Sequence, residues 1–235
     1  MKRSVTCLLL VLIAAIAMAG DLAVLDNLGF SPDGRYFMFG QHVLMTGAGQ
    51  AYAETAIVDV SRNEFVPGGW KKGAWKVPMY PNQDSRGALY ELLDESGDLK
   101  DRYSISHLEQ GRLLYTRSNG DDAVLDTSSA DNSVPSLTFR DFERGVEYSL
   151  QLIQETKTEN EAESSAFHIE MALNKPGGTE TRHTIGRKGF FRSGVVSYEI
   201  VRVWIGPNSR SLVVAVAKAD AEGSVRYMVE TLVLN

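Results

Sequence analysis

Apolar and polar positions alternate most cleanly in the second half of the chain. Val146, Tyr148, Leu150 and Leu152 interleave with Glu147, Ser149 and Gln151, and Phe167, Ile169, Met171 and Leu173 repeat the pattern. A period of two belongs to a strand with one face in a core and one in water. The polar stretch TENEAES separates the two runs, so the pattern predicts an antiparallel pair. Nearer the start, Ser31-Pro32-Asp33-Gly34 is a turn, because proline presets one dihedral and glycine tolerates a positive φ. The continuous apolar run from Arg35 to Phe39 is then a strand buried on both faces. AYAETAIVDV, with Ala56, Val58 and Val60 on one side, completes a hairpin across the loop Thr46 to Gln50. Val195 to Ile205, Ser211 to Lys218 and Val225 to Leu234 add three further β-rich runs.

One stretch follows a different period. Ala88, Leu89, Leu92 and Leu93 recur at three-to-four spacing between a capping Asp84 or Ser85 and Gly97, which predicts one short amphipathic helix near 85–96 and no other. Pro67 to Gln83 is rich in Gly, Pro, Lys and Trp without periodicity, and reads as a loop. The expected fold is therefore mainly β, with antiparallel sheets, either a sandwich or part of a propeller.

The first residues concern destination. Lys2 and Arg3 precede an apolar run from Val5 to Ala17, and Ala17-Met18-Ala19 offers small residues to a signal peptidase, so residues 1–19 are expected to be a cleaved export signal. That run is shorter than the ~20 residues a membrane-spanning helix needs, and no later stretch matches it, so no transmembrane segment is expected in the mature chain. The single Cys, Cys7, lies inside the signal, which excludes a disulfide framework. With 24 basic against 30 acidic side chains, uniform attraction to nucleic acid or anionic lipid is disfavoured. Residues 20–235 are expected to form a single β-rich domain, with a possible sub-boundary near 98–110.

The two ends of the mature chain echo each other. Pro32-Asp33-Gly34-Arg35 recurs as Pro207-Asn208-Ser209-Arg210 at an offset of 175 residues, and the same offset aligns Phe37 with Leu212, Phe39 with Val214 and Tyr52 with Tyr227. At about 40–45 residues per four-stranded unit, that distance corresponds to about four units. The segment FSPDGRYFMFG resembles the strand-entry motif of TolB-type and WD40-like β-propellers, which implies propeller-like hairpins. Together with the export signal, AYAETAIVDV and NEFVPGG, the chain also resembles a family of bacterial predicted secreted proteins of unknown function.

Candidate chemistry is sparse. There is no HExxH, no GxSxG, no SxxK and no mature thiol. His107 with Glu109, and His168 with Glu170, each stand two apart, a spacing that on a strand supplies half of a zinc site. These four define the alternative of a secreted zinc-dependent hydrolase or protease. The plainer expectation puts His168 and Glu170 on the solvent face of their strand. Asp121, Asp122, Asp126 and Asp131 can hold calcium but lack EF-hand spacing. Two basic stretches stand out against the acidic whole: Trp70, Lys71, Lys72, Trp75 and Lys76 in the first, and Arg187, Lys188 and Arg192 around Phe190 and Phe191 in the second. Flat aromatics beside cations suit protein and glycan contacts. The sequence therefore favours an exported, periplasmic or secreted binding protein with no chemistry or cofactor of its own, its partner an envelope or extracellular protein or glycan.

Overall fold

The computed structural model describes residues 20–117, 136–159 and 162–235. The expected export signal and the Asp121 to Asp131 stretch lie outside these. The first sheet is a meander of β1 (Val24–Phe30), β2 (Tyr36–Met45), β3 (Gln50–Asp59) and β4 (Glu64–Lys76), in that spatial order. Two helices follow, α1 (Arg86–Glu95) and α2 (Gly97–Arg102), and then β5 (Arg112–Thr116). β6 (Ser136–Asp141), β7 (Val146–Glu159), β8 (Ala162–Asn174), β9 (Glu180–Ile185) and β10 (Arg192–Ser193) form the second sheet along the chain. β11 (Ser197–Ile205), β12 (Ser211–Ala219) and β13 (Val225–Val233) form the last, with β5 returning to pair with β11.

In space the last sheet is the middle layer. Leu212, Val214 and Val216 of β12 pack against Tyr148, Leu150, Phe167 and Ile169 of the β6–β10 sheet, while Val213 and Ala215 pack against Phe37, Phe39 and Val58 of the first sheet. A strand with apolar side chains on both faces needs a core on each side, and β12 is buried along nearly its whole length. The opposite face of the first sheet is covered by α1, whose Ala88, Leu89 and Leu92 meet Met38, Ala53 and Ile57. Gly40 permits that approach, since a Cβ there would stand 2.7 Å from a Leu89 methyl. The order of layers is helix, sheet, sheet, sheet, and this stack is the sandwich form of the expected mainly β fold.

Strand pairing follows the alternating pattern. β7 and β8 pair antiparallel with Leu150 opposite Met171 and Leu152 opposite Ile169, all facing the core. β2 and β3 form the expected hairpin, with Phe37 opposite Val58 and Phe39 opposite Ala56. The two echoed end hairpins do not share a sheet. They stack face to face and are tied by side chains, Gln41 bonding to the Tyr227 backbone and Asn63 to the Thr231 N–H, while an isolated parallel bridge joins Leu22, ahead of β1, to Val225.

Three expectations are corrected. The stretch read as a loop contains most of β4, because an exposed edge strand needs no apolar alternation. A second helix, α2, continues directly from α1; its sequence GDLKDR carries no apolar stripe to announce it. His168 is not on a solvent face but buried, with 6% of its surface exposed. β10 lies along the start of β8, and Lys188, in the turn before it, reaches Glu170 on the same face as His168.

Candidate functional site

Among the described residues β4 is an edge strand of the first sheet, paired only with β3. Ala51 lies opposite Trp75, Ala53 opposite Gly73, Thr55 opposite Lys71 and Ala56 opposite Trp70. The N–H of Val77 donates to Gly49 O at 3.2 Å, which sets the direction of the backbone groups before it. Because these alternate along an antiparallel strand, Trp75, Gly73 and Lys71 turn theirs toward β3, and Trp70, Lys72, Ala74 and Lys76 turn theirs outward. Among the described residues no backbone group bonds to that outward row.

The same alternation divides the first basic stretch between two faces. Trp75 points to the α1 side and packs in its core, and Lys71 Nζ donates to Glu95 O at the end of α1. Trp70, Lys72 and Lys76 point to the other face and are exposed. There the Lys72 ammonium sits 5.0 Å from the Trp70 ring centroid, within cation–π range. Lys71 and Trp75 are thus already engaged in structure, and the free part is a strip of Trp70, Lys72 and Lys76 beside an open backbone edge.

The second basic stretch is spent largely within the fold. The Arg192 guanidinium lies over the rings of Phe167, Phe190 and Tyr198 and is 3.7 Å from Glu230. Lys188 pairs with Glu170 at 2.8 Å, and Arg187 lies over Phe190. Glu230 is buried, donated to by Asn63 in the β3–β4 turn, and burial raises its pKa above the usual carboxylate range. Glu170 shifts the other way: hydrogen bonds donated by Lys188 and by Thr184 hold its carboxyl low.

The four residues of the zinc alternative do not converge. His107 Nδ1 is 2.6 Å from Leu28 O beside the first sheet, whereas His168 and Glu170, 3.4 Å apart, belong to β8. Among the described residues no three His, Cys, Asp or Glu side chains form a metal-holding group.

A different constellation does assemble, from residues that sequence reasoning passed over. β1 and β2 pair with Val24 opposite His42 and Asp26 opposite Gly40, which makes Asp26 and His42 diagonal neighbours on one face. The start of α1 lies over that face and brings Ser85, whose Oγ is 2.7 Å from His42 Nδ1. Asp26 Oδ2 is 3.2 Å from Nε2 on the other side of the ring, and among the described residues neither atom makes a hydrogen bond. Asp84 Oδ1, 4.0 Å from Nδ1, accepts the Arg86 N–H at 2.9 Å. His42 is 1% exposed and Ser85 7%. Ser85 lines an open groove of about 380 Å³ with Leu22, Val24, Val43 and Leu44. No local motif could have marked this cluster, since its members are brought together only by the β1–β2 register and the seat of α1.

These features define a layered antiparallel β-sandwich with a helical cover and an open edge strand. The chain belongs to the family described as "Predicted secreted protein (DUF2259)", whose model matches residues 38–232, from within β2 to within β13. No curated protein matches it. Among the described residues no helix is long and apolar enough to cross a membrane.

Proposed function

We propose that this protein is exported, is cleaved near Ala19, and acts in the bacterial envelope or outside the cell by binding an extended segment of a partner protein along β4. The observation that carries this reading is the outward row of backbone groups at Trp70, Lys72, Ala74 and Lys76, flanked by an exposed aromatic and ammonium groups. An added strand satisfies such an edge with backbone hydrogen bonds and gains specificity from side chains on alternate positions. Lysines also blunt edges against unwanted pairing. In an antiparallel β4–β4 contact they would face one another, so the edge resists a second copy while attracting an acidic segment. A single domain over residues 20–235 is part of this reading, supported by β5, which carries the chain from the first sheet into the middle one.

A paired substitution tests it. Ala74→Pro removes an outward N–H while leaving the bonds to β3, a position where an edge strand tolerates proline. With the fold intact by circular dichroism, capture of a partner from envelope extract is expected to fail for Ala74→Pro and to weaken for Trp70→Ala. If Ala74→Pro binds as the parent does and only Trp70→Ala fails, the partner stacks on the ring as a glycan does, and the added-strand reading is wrong.

A further inference from the structure

We propose that Ser85 is a nucleophile activated by His42 and Asp26, and that the groove beside it receives the acyl part of a short-chain carboxylic ester. This goes beyond the binding reading and stands independently of it, on the other face of the sheet and at the opposite end of the helix from Lys71.

Three observations carry the inference. Ser85 occupies the cap position of α1, where a serine hydroxyl ordinarily accepts a helix N–H, yet it makes no such bond. Its Oγ is instead 2.7 Å from His42 Nδ1. A carboxylate beside Nε2 favours the tautomer with the proton on Nε2, so Nδ1 presents its lone pair to the serine O–H. The ring nitrogens exchange the roles they have in the serine proteases, but base, nucleophile and orienting carboxylate stand in the same chain of contacts. Secondly, Asp26 Oδ2 and His42 Nε2 are shut from solvent without a well-aligned bond. Proton transfer to Nδ1 would set the imidazolium charge 3.2 Å from this carboxylate. A cluster serving only to hold α1 down has no need to leave both atoms unsatisfied. Finally, Ser85 lines the groove together with apolar side chains at Leu22, Val24, Val43 and Leu44 and polar ones at Asp21, Thr46, Gln83 and Asp84. Gly87, in the first helical turn where amides lack intrahelical partners, offers an N–H for the oxyanion.

The step balances within these groups. Ser85 Oγ bonds to the ester carbonyl carbon as its proton passes to His42 Nδ1. The alkoxide leaves with that proton as an alcohol, and the acyl group stays on Ser85. Water then gives a proton to Nδ1, attacks the acyl carbon, and releases the carboxylic acid while Ser85 recovers its proton.

The test uses the full chain, a fluorophosphonate probe, and p-nitrophenyl acetate and butyrate. The expected result is an adduct mapped to the Ser85 peptide, absent in Ser85→Ala, with ester hydrolysis lost in the same variant. Asp26→Asn keeps the shape of the site and is expected to slow hydrolysis about 10²- to 10⁴-fold, the usual range for disabling a base. Absence of any adduct on the folded parent protein overturns the proposal. So does an adduct or hydrolysis that persists in Ser85→Ala. Loss of labelling here leaves capture through β4 untouched, so the two readings fail separately.

Discussion

The turn at Ser31–Tyr36 and the turn at Gly206–Ser211 share their backbone hydrogen bonds and one side-chain acceptor, although only Pro and Arg are common to their cores. In the first, Gly34 N donates to Ser31 O at 2.8 Å and Ser31 N to Tyr36 O at 2.9 Å; in the second, Ser209 N donates to Gly206 O at 2.9 Å and Gly206 N to Ser211 O at 2.7 Å. Asp33 Oδ1 accepts the Arg35 N–H, and Asn208 Oδ1 accepts the Arg210 N–H. Gly34 and Ser209 both adopt positive φ, 70° and 56°. The turns also touch, since Asn208 Nδ2 donates to Asp33 O at 2.8 Å. What differs is what each launches. Phe37 and Phe39 point from the first sheet into the middle sheet, and their equivalents Leu212 and Val214 point from the middle sheet into the β6–β10 sheet. The displacement that carries the first sheet to the second layer therefore continues to the third, and the difference lies only in what each face meets next.

The sharpest way to break this equivalence is to empty matching core positions. Phe37 and Leu212 are both fully buried, so Phe37→Ala is expected to cost about 4 kcal/mol and Leu212→Ala about 3 kcal/mol in denaturant unfolding. A loss below about 1 kcal/mol at either position would mean that the two layers are not packed alike. Next come the positive-φ positions, which should respond with opposite sign. An added Cβ at Gly34 would stand 2.6 Å from Asn208 Cγ, and Gly34→Ala is expected to destabilise by about 2 kcal/mol. Ser209→Gly relieves a strained side chain at some entropic cost and is expected to stabilise by roughly 0.5 kcal/mol. Thermal unfolding of the two variants checks the pair.

Removing the turn acceptors separates the two further. Asn208 serves Arg210, Ser211 and Asp33 together, so Asn208→Ala is expected to cost about 2 kcal/mol, against about 1 kcal/mol for Asp33→Ala. The smallest effect is one of pH. The Ser31 hydroxyl, and then the Arg35 amide, hold the Asp33 carboxyl below its ordinary range. A lowered carboxylate contributes stability that is present above the unfolded value, roughly pH 4, and is lost as pH falls through the folded value. Asn208 does not titrate. Asp33→Asn is therefore expected to flatten the acid limb of the stability profile slightly, while Asn208→Asp adds a second acid-sensitive turn.

The turn echo, the long β7–β8 pair and α1 were legible in the sequence because each rests on local chemistry: a turn signature, a period of two, a period near 3.6. β4 was not, since Val66 to Gly69 form a bulge between its paired halves and its exposed residues owe nothing to a core. Missing the strand also merged Trp70 with Trp75, which stand five positions apart and so face opposite ways. His168 looked exposed because alternation says which side of a sheet a residue takes, not whether something later in the chain covers that side. The Asp26, His42 and Ser85 cluster was invisible for a stronger reason: each member is unremarkable where it stands, and the contact depends on register and on how closely α1 settles over Gly40.

The helix over the first sheet has a consequence for how such a chain can change over generations. A ring of sheets has no ends, but this pile has two covers: α1 on one side, and on the other the polar outer face of β7 with Glu147, Ser149 and Gln151. A duplicated turn-and-strand segment appended outside either cover would have no apolar wall to meet. Lengthening by duplication is thus confined to the interior, where a new sheet finds a core on both sides, and the covers are the parts that inheritance must keep.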